Sequence, residues 1–296
     1  MQKKILVVFF VFVTGFITVT NAQKKETVDR LSVYAVKDTL KGWKTSGLVG
    51  LTFGQTSLTN WAAGGDNTVT GDLTVNLTAN YLNHKWFWDN NLLGEFGLVN
   101  SSANDYWQKA ADQLNFTSIA GRSISTHWAF SALLNFKTQF TEGYNYPNTE
   151  NYISTFMAPA YGDLALGFAY KPNSKYTVFF SPLAERATFV LNDSLSNIGA
   201  FGVDPGDKIK WETGAFLLAS SKQTLAENLS LISSLDMFTP YNEDFGKVNI
   251  NWNLLLNYKF HKMFTATLNT TFRYYDAEIR KVQFKEILGL GLTYTF

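Results

Sequence analysis

Strict alternation of apolar and polar residues is the feature that most constrains the fold of this chain. In the segment 72–81 the odd positions are apolar and the even positions are Asp, Thr or Asn. The same period of two recurs in 249–258 and 264–274. Because successive side chains of a strand point to opposite faces, these segments predict a sheet with one apolar and one polar face.

The amino-terminal region reads as an export signal. Lys3 and Lys4 precede the apolar stretch 5–19, and the small-residue pattern Thr20-Asn21-Ala22 follows. This order of charged, apolar and cleavage regions predicts a signal peptide over residues 1–22. We expect residues 23–42 to form a periplasmic segment, either a tail or a lumen plug, and residues 43–296 to form the main domain.

Connections of alternating length set the expected strand number. Short connections occur at 83–85, 125–126, 172–174, 223–227 and near His261, and long ones at 56–67, 100–112, 141–158, 191–207, 240–246 and 277–281. We predict twelve strands at 46–55, 68–83, 86–99, 113–124, 127–140, 159–171, 175–190, 208–221, 228–239, 247–259, 262–275 and 282–296. Short periplasmic turns and long external loops are the rhythm of outer-membrane barrels.

Whether the apolar face points into the barrel or outward decides between a soluble and a membrane barrel. No apolar run after residue 22 has the ~20 residues of a spanning helix, so a bilayer could be crossed only by a closed barrel. An apolar interior would leave a large void in a barrel of twelve strands. Aromatic residues also collect at strand ends, as in membrane-interface girdles: Trp43, Tyr81, Trp86, Trp88, Trp107, Trp128, Tyr170, Trp211, Tyr258, Tyr274 and Tyr294. We therefore predict an all-β, antiparallel transmembrane β-barrel in the bacterial outer membrane.

The composition and the last strand indicate which classes of partner to expect. The formal charge of +1 gives no basis for nucleic-acid binding, and the chain has no cysteine for disulfides or thiolate metal sites. Outer-membrane lipid is the expected surrounding. Alternation continues to Phe296, which resembles the carboxy-terminal signal that the barrel assembly machinery reads, so this machinery is a predicted partner.

A motif directly after the first strand resembles a known family. The segment 54–67 contains Asn60-Trp61-Ala62-Ala63-Gly64-Gly65. It is similar to the opening motif of an uncharacterised family of envelope barrel proteins, and the stretches 181–183 and 199–203 also look similar. The resemblance implies an exported, sheet-rich protein. Because the function of that family is unknown, it implies no active site.

The histidines are the test for an enzyme. His84, His127 and His261 each lie in or beside a short connection, which places them at the predicted periplasmic rim. An outer-membrane hydrolase with a serine nucleophile would need a histidine base facing the outer leaflet. We therefore predict no catalytic residue. The sequence shows no phosphate loop and no metal-spaced cluster, and we predict no cofactor.

Two groups of residues are candidates for function. The inward register carries the charged residues Glu95, Lys137, Asp163, Glu212, Asp236 and Arg273, with Glu185 and Arg186 beside an expected bulge at Pro182. These charges either line a water path or pair with one another and close it. The second group comprises Asn60, Trp61, Tyr144 and Tyr146 in long loops, which either bind a ligand such as a sugar, fold inward as a constriction, or simply pack over the barrel mouth.

These observations favour a narrow channel or solute-uptake pore for an unidentified small solute. The alternative is a plugged barrel with an envelope-structural or loop-mediated binding role. An outer-membrane hydrolase is the third reading.

Overall fold

The alternating segments are strands in the computed structural model, which describes residues 42–57, 66–173, 175–242 and 246–296. The strands are β1 (Gly42–Thr56), β2 (Thr68–Asn83), β3 (Trp86–Ser101), β4 (Trp107–Ser123), β5 (Trp128–Thr138), β6 (Gly143–Tyr144), β7 (Tyr152–Ser154), β8 (Ala160–Asn173), β9 (Tyr176–Phe189), β10 (Ile209–Ala226), β11 (Leu229–Pro240), β12 (Asn249–Lys259), β13 (Phe264–Tyr275) and β14 (Ile279–Thr295). The predicted signal peptide, residues 23–41, Asn60 and Trp61 lie outside the described residues.

Twelve of these strands form one closed antiparallel barrel. Each pairs with its sequence neighbour, except that β5 pairs with β8 and β14 returns to pair with β1. The remaining two, β6 and β7, form a small hairpin inside the β5–β8 connection. The predicted fold class and strand number are therefore confirmed.

Two connections differ from the prediction. The segments 100–112 and 277–281 were expected to be long loops, but β4 begins at Trp107 and β14 begins at Ile279. The ladders continue to the pairs Asn100–Trp107 and Tyr275–Ile279. Backbone hydrogen bonds thus extend the strands into polar sequence that no longer shows the alternation by which the strands were recognised.

Short helices occur in the connection between β9 and β10. The helix α1 (Asp193–Asn197) is capped by the Asn192 side chain, which accepts a hydrogen bond from the Leu195 amide, and a 3-10 turn follows at Ala200–Gly202. Among the described residues, no helix is long and apolar enough to cross a membrane.

The outer face of the barrel is apolar. Leu288 and Leu290 are 75% and 62% exposed, and the outward side chains of the other strands are also large and apolar. Exposed aromatic residues surround the end that carries the short turns: Trp43, Trp86, Trp88, Trp128, Tyr176, Tyr258 and Tyr294. Glu95, Asp163 and Asp236, by contrast, are buried inside. This distribution is that of an outer-membrane barrel, with the short turns at the periplasmic end.

The ladder that closes the barrel is the shortest of the barrel ladders in the described parts of the chain. β1 and β14 pair over six residues, from Leu48–Thr295 to Phe53–Leu290, whereas β1 and β2 pair over fifteen. Gly291 brings the two backbones close together, because a Cβ there would lie 2.3 Å from the Leu51 carbonyl oxygen. We refer to this ladder as the closing seam.

Candidate solute pathway in the lumen

One wall of the lumen is filled by apolar side chains. Strands β3 to β5 and β8 to β11 contribute an apolar lumen cluster, formed by Phe87, Ile119, Ala129, Leu133, Ala165, Ala169, Phe179, Ala184, Phe216, Leu218 and Phe238. The sequence pattern predicted a polar interior, but this part of the interior is apolar. Packing of these side chains removes part of the void that twelve strands would otherwise enclose.

A row of polar side chains crosses the interior next to this cluster. Register partners on successive strands from β1 to β10 are Ser46, Thr78, Asn91, Thr117, Asn135, Asp163, Arg186 and Glu212. Because barrel strands are tilted, the row climbs from near the periplasmic end of β1 to near the extracellular end of β10.

Near the extracellular end of the barrel, this row lies next to an ion pair that spans the lumen. Lys137 Nζ on β5 lies 2.7 Å from Asp236 Oδ2 on β11, and three strands separate β5 from β11 on the nearer side of the barrel. Beside it, Arg186 Nε donates to Asp163 Oδ1 at 2.6 Å. The Arg186 guanidinium also lies 4.2 Å from the centroid of the Phe238 ring.

A second set of contacts crosses the lumen at the same end. Tyr161 Oη on β8 donates to Glu278 Oε1 at 2.8 Å, and the carboxylate of Glu278 also pairs with Arg273. The rings of Tyr161 and Tyr275 pack edge to face with centroids 5.3 Å apart. We call the residues of this paragraph, together with Lys137, Asp163, Arg186 and Asp236, the lumen constriction.

A cavity of about 210 Å³ lies inside the barrel, bordered by β1 to β5 and β9 to β14. We call it the chamber. Residues with amide or hydroxyl side chains are the most numerous in its lining, although apolar atoms form most of its surface. The asparagines come from β2, β3, β4, β5, β12 and β13: Asn76, Asn91, Asn115, Asn135, Asn253, Asn257 and Asn269. No aromatic ring lines it among the described residues.

Among the described residues, two of the three carboxylates that line the chamber, Glu95 and Asp236, are engaged by lysines. The third, Asp72, accepts a hydrogen bond from Thr74 Oγ1 at 3.2 Å, and its Oδ2 has no hydrogen-bond partner. Glu95 accepts hydrogen bonds from Gln113 Nε2 at 2.6 Å and Asn269 Nδ2 at 3.2 Å, and Lys285 Nζ is 3.8 Å away. Asp236 belongs to the lumen constriction. The charges of these two groups are therefore compensated within the protein.

A smaller cavity of about 100 Å³ adjoins both features. It shares Gln113, Asn115 and Asn253 with the chamber, and its other lining residues include Lys137 and Arg273 of the lumen constriction. The smaller cavity therefore lies between the chamber and the lumen constriction.

All six charged residues proposed from the sequence face the interior, and ion pairs hold them. Lys137 pairs with Asp236, Asp163 with Arg186, Arg273 with Glu278, Glu212 with Lys210 at 3.6 Å, and Glu95 with Lys285 at 3.8 Å. Their contact with a solute stays a prediction.

Sequence reasoning missed a further cross-lumen pair, Asp89 with Lys171 at 2.9 Å. Both residues continue the inward register of their strands, so the alternation could have identified them. It also missed Tyr161 and Tyr275, because only charged residues of the inward register were taken as candidates for the lumen.

The bulge at Pro182 decides which of Glu185 and Arg186 faces the lumen. The register of β9 against β10 shifts between Gly214 and Phe216, next to Ser181 and Ala184. Beyond this shift Arg186 points inward, whereas Glu185 lies on the outer face and accepts a hydrogen bond from Thr213 Oγ1 at 2.7 Å. The expectation that Glu185 faces the lumen was wrong, because a bulge changes which residues share a face.

Two of the external connections pack against each other. Ala158, Val190, Leu195 and Val203 form a buried cluster that joins the β5–β8 and β9–β10 connections.

The two loop tyrosines proposed from the sequence lie in the first of these connections. Tyr146 Oη accepts a hydrogen bond from the Lys109 amide at 3.1 Å, and its ring stacks on Tyr106 with centroids 5.6 Å apart. The hydrogen bond from Tyr144 to the Glu142 carboxylate raises the pKa of the Tyr144 phenol. Tyr146 thus packs against the barrel end, and a binding role for either tyrosine stays a prediction.

The histidines lie in turns at the periplasmic end. His84 joins β2 to β3, His127 precedes β5, and His261 joins β12 to β13. The His127 ring packs near Tyr170, and the His261 ring near Phe264, with centroids 6.3 and 5.9 Å apart. Their contacts belong to the turns and the aromatic girdle.

Residues 53–144 match the sequence profile of a family described as "Protein of unknown function (DUF3078)". The predicted resemblance to an uncharacterised family is confirmed for this part of the chain. The chain matches no curated protein sequence.

Several solved structures are similar to the barrel. An outer membrane channel from Pseudomonas putida F1 aligns over 92% of this chain and 99% of its own, with 16% identity and a TM-score of 0.41. The NanC porin aligns over 83% of this chain and 98% of its own, with 8% identity and a TM-score of 0.38. The toluene transporter TodX from Pseudomonas putida aligns over 86% and 88%, with 8% identity and a TM-score of 0.30.

Proposed function

We propose that this barrel is a narrow solute channel of the outer membrane, closed in the present conformation by the lumen constriction. The observation that carries the proposal is the ion pair between Lys137 and Asp236, which spans the interior beside two adjoining cavities. A barrel whose role was only structural would have no need for a solute-sized chamber below such a pair.

Ion pairing suits a closure that can open. Two partly buried charges attract strongly in the low-dielectric interior, yet much of that attraction offsets the cost of removing them from water. When both side chains turn away together toward water, each regains hydration. The open and closed arrangements can then have similar free energies. Similar free energies are required if the protein is to exchange between the two states.

The test is single-channel conductance of the refolded full chain in a planar lipid bilayer. The double variant Lys137→Met with Asp236→Asn removes the attraction across the lumen and keeps similar side-chain volumes. We expect it to pass larger or more frequent current steps than the unmodified protein. The matched control is Lys208→Met with Asp193→Asn, which removes an exposed ion pair in the external β9–β10 connection and should leave the current unchanged.

Silence from the unmodified protein and the lumen variant, once folding is confirmed by circular dichroism, would contradict the channel. Deletion of residues 24–41 gives a further arm. If only that deletion raises the current, the predicted amino-terminal segment is the plug, and the lumen constriction is not the closure.

A second candidate is a loop-mediated role at the cell surface. It is favoured by the buried cluster of Ala158, Val190, Leu195 and Val203, which makes two external connections one packed unit. Replacing Leu195 by Asp should loosen this unit, which limited proteolysis of intact cells would detect. If the loosened variant loses an envelope phenotype while its conductance is unchanged, the loop-mediated role explains the protein better than the channel does.

A further inference from the structure

The ladder at the closing seam stops before either of its two strands does. β1 runs to Thr56, yet its last pair with β14 toward the extracellular end is Phe53–Leu290. Residues 54–56 pair with β2 and residues 287–289 pair with β13, but the ladders of the described residues do not join these two ranges. We call the gap between the two ranges the lateral slot.

The side chains on the outer side of the lateral slot face lipid. Leu292, in the paired part of β14, is 40% exposed, whereas Leu288, beside the slot, is 75% exposed, as expected where a neighbouring strand has moved away. Phe284, further along the same face, is also exposed. The slot is therefore at the depth of the bilayer, where an unpaired strand edge is tolerated only if it lines a cavity or is covered by protein.

A charged residue lies on the same outer face. Glu286 is exposed between Phe284 and Leu288, in the outward register of β14. A carboxylate on a lipid-facing strand is unfavourable unless water or polar groups reach it. An opening in the wall beside Glu286 would provide that contact.

The inner side of the lateral slot borders the chamber. Thr52 of β1 and Ile287 of β14 both line the chamber. A Cβ at Gly289 would overlap the Thr52 side chain, so the two strands are still in contact at the lower end of the slot. Arg273 and Glu278 of the lumen constriction lie nearer to the extracellular end of the β13–β14 hairpin. A molecule that entered through the slot would therefore reach the chamber without crossing the lumen constriction.

The lining of the chamber indicates the class of molecule. Apolar atoms form most of its surface, and the aliphatic side chains come from several strands: Leu48, Leu93, Leu218, Ile232, Leu255 and Ile287. Charged side chains of both signs line it as well: Asp72, Glu95, Lys175, Lys222 and Asp236. Because both signs are present, the lining favours an apolar body that carries a polar group, without selecting the charge of that group.

The size of the chamber is sufficient for such a molecule. Its volume of about 210 Å³ exceeds the roughly 150 Å³ of a protein cavity that holds benzene. Molecules of this kind concentrate in a bilayer, because burial of their apolar surface is favourable there. They would therefore arrive at the slot from the lipid side.

We propose that the lateral slot lets small amphipathic molecules pass between the chamber and the outer leaflet of the membrane. The inference goes beyond the proposed channel, since this route does not cross the lumen constriction. It gives the chamber a second entrance, which opens to lipid and not to water.

The experiment measures the uptake of N-phenyl-1-naphthylamine, a neutral apolar amine that fluoresces in apolar surroundings, by intact Gram-negative cells that carry the full chain. The chain has no cysteine, so in the double variant Gln55→Cys with Leu288→Cys a bifunctional methanethiosulfonate reagent can bridge only the slot. We expect the unmodified protein to accelerate uptake. Bridging should reduce uptake to the rate of cells that lack the barrel, and dithiothreitol, which cleaves the bridge, should restore it.

The matched control is Val49→Cys with Tyr294→Cys, a pair of the same seam that the ladder already joins. Bridging this pair should leave uptake unchanged, because it lies below the slot. Ile287→Asp is a second variant that needs no reagent. A carboxylate at the inner side of the slot should slow the passage of an apolar body, since the passing molecule would remove water from the charge.

Three results would overturn the lateral route: equal uptake with and without the barrel, uptake that neither the bridge nor Ile287→Asp changes, and an equal loss in the control pair. Uptake that increases with Lys137→Met and Asp236→Asn but ignores the bridge would also overturn it, because the probe would then follow the axial path. Conductance tests the channel separately. If bridging abolishes uptake by a protein that never conducts, the lateral route stands and the channel proposal is wrong.

Discussion

At the scale of single residues, the pair of Arg186 with Asp163 is the most buried ion pair in the described part of the chain, with side chains that are 2% and 1% exposed. Breaking such a pair by removing one partner leaves an uncompensated charge inside the protein. We expect Asp163→Asn to lower the free energy of unfolding by about 3 kcal/mol or more. Denaturant unfolding in lipid vesicles, followed by tryptophan fluorescence, is the measurement.

The double variant Asp163→Leu with Arg186→Met is the control for this prediction. Replacement of a buried pair by apolar groups of similar volume is often close to neutral. The double variant should therefore be more stable than Asp163→Asn. If the two changes add as independent losses, the pair does not act as a unit.

The alternation identified charged residues that face inward, but not their partners. Lys137 and Asp236 lie on strands that are far apart in sequence, and their contact depends on the width and tilt of the barrel. The sequence pattern did not distinguish Asn135 from other residues, because asparagine is common on a polar strand face. Its burial and its hydrogen bonds to Asn115 and Thr117 appear only when the strands are assembled.

At the scale of elements, the closing seam depends on Gly291. A Cβ at this position would meet the Leu51 carbonyl oxygen, a backbone atom that cannot rotate away. We expect Gly291→Ala to displace β14 from β1 and to destabilise the barrel by about 1–3 kcal/mol, as overpacking does. The heat-dependent change in electrophoretic mobility of the folded barrel would shift to lower temperature.

Gly71→Ala is the matched control, because a Cβ at this strand glycine would meet nothing within 4 Å. Equal effects of the two substitutions would mean that the loss reflects β propensity and not the seam. The strands themselves were predictable, since each has an apolar face toward lipid. Their ends at Trp107 and Ile279 were not, because hydrogen bonding continues where the apolar face has stopped.

At the scale of the whole barrel, one wall is backed by the apolar lumen cluster, whereas the wall formed by β1 and β12 to β14 faces the chamber. Local opening costs less where fewer buried apolar contacts are lost. We expect amide hydrogen exchange, measured by mass spectrometry, to be slowest in β5, β8 and β9 and fastest along the closing seam. Uniform exchange around the barrel would contradict this difference between the two walls.

The half-filled lumen also has an evolutionary consequence. Substitutions in the apolar lumen cluster act on packing, so selection for folding alone should restrict them. Substitutions of chamber residues outside the apolar lumen cluster and the ion pairs change the size and hydrogen bonding of a hollow space, and the strands around it remain paired. During evolution, substitutions of the chamber residues could therefore change which solute the barrel carries, while each successive variant still folds.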